Sequence, residues 1–312
     1  MDSRVVRSGA REEPPDATGA APHPHHERAA RPWLAMLLMS GAMLCFTTLD
    51  TLMRSLYVEH PLPMLIFIRN LVQAAGLSLL IPVFGRRSVR TGRIGIHVMR
   101  GACMVLTTVF IILALAHLPM AQAYSITFST PLMATVIAAV ALGERPGPAQ
   151  WICVGTGLLG VVIVLDPRGF TLGAALLYPL AMAFFNACLF VLTRYAGRSE
   201  GPYTLVFWAS LAAVTFCLLG LPFYAVPLPL TAYALLIVGG TLGTLAHLMI
   251  AGAFRLAPTV TVAPMLYTQI IWASLVGWLV FEEVPALHVV IGSAVIIASG
   301  VLLLRAGAPA RR

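Results

Sequence analysis

The sequence contains no lysine; all 20 basic residues are arginines, set against 12 acids, and charged residues make up only 10% of 312. Soluble domains carry roughly 25% charge, so this scarcity, beside 59% hydrophobic residues, excludes a water-soluble fold. The net charge of +8 does not point to nucleic acid, because the arginines are scattered between apolar runs and build no single patch. Paired cysteines are also missing. Cys45, Cys103, Cys153, Cys188 and Cys217 each fall in a different apolar run and read as small buried hydrophobes, without disulfide or metal-ligand spacing. No cleavable signal peptide is expected, because residues 1–31 are polar and lack a short apolar core with a small-residue cleavage site. That stretch, with His23, His25 and His26, reads as a disordered cytoplasmic tail. No phosphate-binding glycine loop, metal cluster or nucleophile–base arrangement is visible, so no catalytic residue, metal or cofactor is expected.

What is present is a succession of ten apolar runs, at roughly 33–57, 62–84, 95–116, 119–142, 149–165, 171–193, 203–225, 230–254, 257–281 and 285–304. A helix rising about 1.5 Å per residue needs about 20 residues to cross the hydrocarbon core, so these runs predict an all-α, ten-span protein embedded in the lipid bilayer. The arginines orient it. With the N-terminus in the cytoplasm, the loops holding Arg86, Arg87, Arg90, Arg93, Arg145, Arg194, Arg198 and Arg255 lie inside, and Arg168 alone lies in an outside loop. Both termini, including a short tail at 306–312, are expected in the cytoplasm.

Much of the stretch 113–165 returns 138 to 140 positions later: Leu256-Ala257-Pro258 answers Leu118-Pro119, and Val280-Phe281-Glu282-Glu283 answers Leu142-Gly143-Glu144-Arg145. The chain thus divides into repeats at 32–166 and 170–305, each with five spans. An odd number of spans per repeat forces the halves to run in opposite senses. Inverted halves of this kind can exchange shapes and expose one site to each side of the membrane in turn.

Asp50 is the only carboxylate well inside a span, and Arg54 follows four residues on, on the same helix face. The two are expected to pair, either as a structural ion pair near the outer end or as a protonation switch or substrate contact. Arg69 is the better binding candidate, because Asn70 and Gln73 beside it mark an interior face and a guanidinium can grip a carboxylate with two bonds. Arg100 reads equally as a ligand group and as a snorkelling anchor. In the fourth run Gln122, Ser125 and Ser129 form one polar stripe, with Tyr124, Thr127 and Thr130 close by; in the ninth, Thr261, Tyr267, Thr268, Gln269 and Trp272 answer. Pro131 and Pro264 free backbone carbonyls near mid-membrane, so both runs are expected to line a cavity. His247 and Asn186 read as lone polar groups satisfied in helix interfaces, and the glycines of the fifth and tenth runs as packing positions.

Phe67-Ile68-Arg69, Arg100-Gly101, the ALAHLP before the fourth span, Thr130-Pro131-Leu132, Leu142 to Pro146, and the second copy's Leu256 to Pro258 and Phe281-Glu282-Glu283 together carry a family resemblance. From about Trp33 to Leu304 the chain resembles the ten-span drug/metabolite transporter superfamily built from two EamA repeats, although Ala209 stands where the first repeat has Arg69. The resemblance implies a secondary transporter, not an enzyme, in a bacterial-type inner membrane, moving a small polar metabolite by alternating access. Export of an amino-acid-derived compound is the first expectation, and uptake of a vitamin or cofactor such as riboflavin or S-adenosylmethionine is the second. It also allows a homodimer contact through the last span of each repeat.

Overall fold

The computed structural model describes residues 32–85, 89–143, 146–165, 174–197, 199–257 and 262–306. Helices account for the described chain because a segment in hydrocarbon must satisfy every backbone group internally. The first half holds α1 (Pro32–Tyr57), α2 (Leu62–Leu79), a one-turn α3 (Ile81–Phe84), α4 (Ile94–His117), α5 (Met120–Thr127), α6 (Thr130–Ala141) and α7 (Pro148–Leu165). The second holds α8 (Leu177–Ala196), α9 (Pro202–Tyr224), α10 (Leu230–Leu256), a 3₁₀ segment (Ala263–Tyr267), α11 (Thr268–Phe281) and α12 (Leu287–Ala306). Nine described helical stretches are long and apolar enough to cross a membrane, α5 and α6 counting together, and α12 supplies the tenth span. Residues 1–31, Glu144, Arg145, Arg198 and Thr261, all part of the sequence reading, lie outside the described residues.

The helices pack as two inverted repeats, and the pairing of elements shows it. α1 packs along α10 as α4 packs along α8; α4 meets α9 as α10 meets α2; α7 lies against α12. Exchanging each first-repeat span for its second-repeat counterpart turns this list into itself. Two glycines mark the equivalence. A Cβ on Gly101 would sit 2.4 Å from Cβ of Ala212, and one on Gly240, 139 positions later, 2.6 Å from Cβ of Val72. Both positions need a bare backbone because helices from opposite halves cross there at close range.

The fourth and ninth spans are both broken near mid-membrane. Pro131 cannot donate to the carbonyl of Thr127, so α5 stops and α6 restarts. The freed carbonyl is taken by the Thr130 hydroxyl at 2.6 Å. In the ninth span Thr268, 138 positions on, donates in the same way to the Met265 carbonyl at 2.6 Å, where the 3₁₀ turn gives way to α11. The helices also exit alike. Gly143 after α6 and Glu282 after α11 are both left-handed, at φ 66° and 56°. Phe128 and Tyr267, again 139 apart, touch each other with ring centroids 5.0 Å apart. Equivalent residues can meet only near the pseudo-two-fold axis, so the two breaks face each other at the centre of the bundle.

Candidate functional site

The breaks border a cavity of about 1190 Å³. Its wall begins at Leu49, Asp50, Arg69 and Tyr124, passes Thr107, Thr127 and Gln269, and reaches Pro146, Gln150 and Arg194 at one end of the bundle. Aromatic side chains from both repeats face it: Phe46, Tyr124, Phe128, Phe190, Phe254 and Tyr267. The space is thus a chamber of mostly apolar and aromatic surface with polar and charged groups set into it, which suits an organic solute better than a bare ion.

Asp50 accepts a hydrogen bond of 2.6 Å from the Tyr124 hydroxyl. Arg69 enters from α2 and is held by neutral partners: Nη1 donates to Thr108 Oγ1 and Nη2 to Gln73 Oε1, both at 3.2 Å, while Gln73 Nε2 donates to Ser210 Oγ at 3.2 Å. The Arg69 Nε has no partner among the described residues. The arginine–carboxylate ion pair found among those residues is Arg54–Glu283, so Asp50 and Arg69 share the cavity wall without contacting each other. A buried cation and a buried anion left apart can each be met by a solute bearing both charges.

Several expected placements are corrected by this geometry. Asp50 and Arg54 do not pair: Arg54 turns outward from the cavity to Glu283, at 2.7 Å, and Asp50 takes Tyr124 instead. Asn70 and Gln73 are fully buried and do not line the cavity; Gln73 acts by positioning Arg69. Gln122, Ser125 and Ser129 do not line it either. Gln122 reaches the Val164 carbonyl at 3.5 Å and Ser125 meets Ser293 at 2.5 Å, so the stripe packs toward the α7/α12 pair. On the same span Tyr124, Thr127 and Pro131 take the cavity face. Tyr267 and Gln269 line the cavity, whereas Trp272 Nε1 ties α11 to the Ser40 carbonyl at 3.1 Å.

Arg100 borders the cavity, but its guanidinium is committed: it donates to the Leu205 carbonyl at 2.6 Å, to Thr193 Oγ1 at 3.1 Å and to His97 Nδ1 at 3.2 Å. Because an arginine can only donate, His97 accepts at Nδ1 and carries its proton on Nε2, which donates to Glu200 at 2.7 Å. This knot braces α4 against the second repeat. His247 and Asn186, expected in helix interfaces, line the cavity, as do Thr107 and Thr108, which sequence reasoning did not single out. No amphipathic signal could have found those threonines, since an apolar helix in a membrane has no polar outer face to set its rotation.

An all-helical bundle of inverted repeats around a polar-flecked central cavity, its spans broken beside that cavity, is the architecture of a membrane transporter. The EamA-like transporter family model matches residues 33–166 and again 173–305, and this chain belongs to that family. It is 32% identical over 216 residues to a riboflavin transporter of Vibrio cholerae, covering 69% of this chain and 72% of that one. It is 26% identical over 281 residues to the pseudopaline exporter CntI of Pseudomonas aeruginosa, covering 86% and 97%. An S-adenosylmethionine uptake transporter of Rickettsia bellii is 22% identical over 238 residues, 76% of this chain and 82% of that one. A protein of known crystal structure shares the fold with a TM-score of 0.60 at 20% identity, covering 86% and 95%.

Proposed function

We propose that this transporter exports a small zwitterionic, amino-acid-derived metabolite across a bacterial inner membrane, with both termini in the cytoplasm. The observation that carries the reading is the separated pair in one cavity, Asp50 under the Tyr124 hydroxyl and Arg69 held with its Nε free. A solute with an ammonium or sulfonium group and a carboxylate satisfies both without bringing a counter-ion. Similarity to the pseudopaline exporter over nearly the whole of both chains supports the class and the direction.

A second reading, uptake of a flat heteroaromatic such as riboflavin, is favoured by the aromatic lining and by similarity to the Vibrio cholerae riboflavin transporter. Counterflow in proteoliposomes separates the two. Labelled S-adenosylmethionine or pseudopaline should exchange against its own unlabelled form, and riboflavin should neither exchange nor compete. Exchange of riboflavin alone overturns the first reading in favour of the second, and deletion of the gene in its host should raise the cytoplasmic level of an exported solute and lower that of an imported one.

A further inference from the structure

We infer that Glu283, with Arg54, forms the gate of this transporter at the end opposite the cavity mouth; the inference rests on the chain being a transporter but not on which solute it carries. The two oxygens of the Glu283 carboxylate hold different elements. Oε1 accepts from Arg54 Nη2 on α1 at 2.7 Å, and Oε2 accepts from the backbone N–H of Met120, the first residue of α5, also at 2.7 Å. Negative charge at that point is also favoured by the dipole of α5. Arg54 in turn lies over the Phe281 ring, 4.0 Å from its centroid. One side chain from the α11–α12 connection thereby ties two helices of the first repeat to the second.

The place of this contact makes it a partition. On one side, one helical turn along α1, Asp50 lines the large cavity; on the other, Arg54, Tyr57, His117 and Phe281 line a shallow vestibule of about 510 Å³. Neither Glu283 nor Met120 borders the large cavity, which opens toward Gln150 and Arg194. The side chains of Arg54 and Glu283 keep 17% and 18% exposure, so water can take over their bonds when they part, and the contact can be remade without stranding a buried charge.

The backbone is shaped to hold Glu283 there. Glu282 is the only non-glycine residue with positive φ among the described residues, at 56°, in a position where the first repeat has Gly143. Its N–H donates to the Trp278 carbonyl at 3.2 Å and that of Glu283 to the Gly277 carbonyl at 3.0 Å, a turn that folds the chain back over the end of α11. A Cβ on residue 277 would lie 3.2 Å from Glu283 Oε2, so Gly277 leaves the carboxylate its room. A strained residue kept beside a contact between halves marks a position that the fold is built to define.

The test uses full-length protein in proteoliposomes, with the five native cysteines replaced and one thiol placed in the cavity by Thr107→Cys. A membrane-impermeant thiol reagent is applied from each side in turn. The parent should react much faster from the mouth side than from the gated side, and Glu283→Gln should raise the rate at the gated side at least ten-fold. Equal rates in Glu283→Gln and parent overturn the gate. In a second protein Arg54→Cys and Glu283→Cys are bridged by a reducible bifunctional reagent. Solute exchange should stop on bridging and return on reduction, which also shows that the protein is folded; unchanged exchange while bridged overturns the gate. A parent that exchanges no solute counts against the transport reading, while the labelling result still decides whether Glu283 seals the cavity.

Discussion

Arg69 is fixed by what its neighbours cannot do. Thr108 and Gln73 accept its hydrogen bonds but carry no charge, so the guanidinium keeps its positive field for the cavity. Arg69→Lys keeps that charge but loses the planar fork and the bonds that aim it. Both Arg69→Lys and Arg69→Ala are therefore expected to cut counterflow by about ten-fold or more, with protein levels unchanged for the lysine variant; wild-type exchange in both would remove Arg69 from the site. Asp50 tests coupling. Asp50→Asn imitates the protonated carboxyl and keeps an acceptor for Tyr124 but removes the charge proposed to meet the solute's cation, so exchange should weaken at any pH, and a proton carrier at this position should in addition lose transport driven by a pH gradient. Gradient-driven transport intact in Asp50→Asn excludes the carrier role. The sequence singled out these two charges, because each costs several kcal/mol in hydrocarbon. It placed the wrong partner beside Asp50, since Arg54 at i+4 is a good helical neighbour but Glu283, 229 positions away, is a better acceptor.

The broken fourth span illustrates what an element's rotation decides. It has polar groups on two faces, Gln122, Ser125 and Ser129 on one and Tyr124, Thr127 and Thr130 on the other, and both satisfy helical spacing. Polarity alone does not choose between them; the choice is made by Ser293 on α12, which takes Ser125 and turns the other face inward. Ser125→Ala is accordingly expected to lower stability by ~1 kcal/mol and leave substrate affinity unchanged, whereas Tyr124→Phe should weaken binding; unfolding curves beside counterflow KM values check the split. The ninth span has a matching dependence. A Cβ on residue 300 would overlap the Tyr267 hydroxyl, so Gly300→Ala on α12 should push that ring toward the cavity and raise the KM without changing insertion. An unaltered KM in a folded Gly300→Ala protein would show that Tyr267 moves elsewhere.

For the molecule as a whole, inversion of the halves makes a topological prediction. Reporter fusions after Arg90 and after Arg198 should report the cytoplasm and a fusion after Val226 the opposite side; a periplasmic result at Arg90 would reverse the proposed orientation. Spans, repeat and membrane class were all legible in the chain, because lipid imposes a minimum apolar length and an odd number of spans per repeat imposes inversion, and neither constraint depends on which side chains meet. Contacts across the halves are of another kind. That Gln73 reaches Ser210, that Arg100 reaches Thr193 and the Leu205 carbonyl, and that Glu283 reaches both Arg54 and the start of α5 follow from the close crossing of helices far apart in sequence. In an apolar helix no wet face declares its rotation, so the cavity wall is set only when the helices pack and each buried polar group takes the partner within reach.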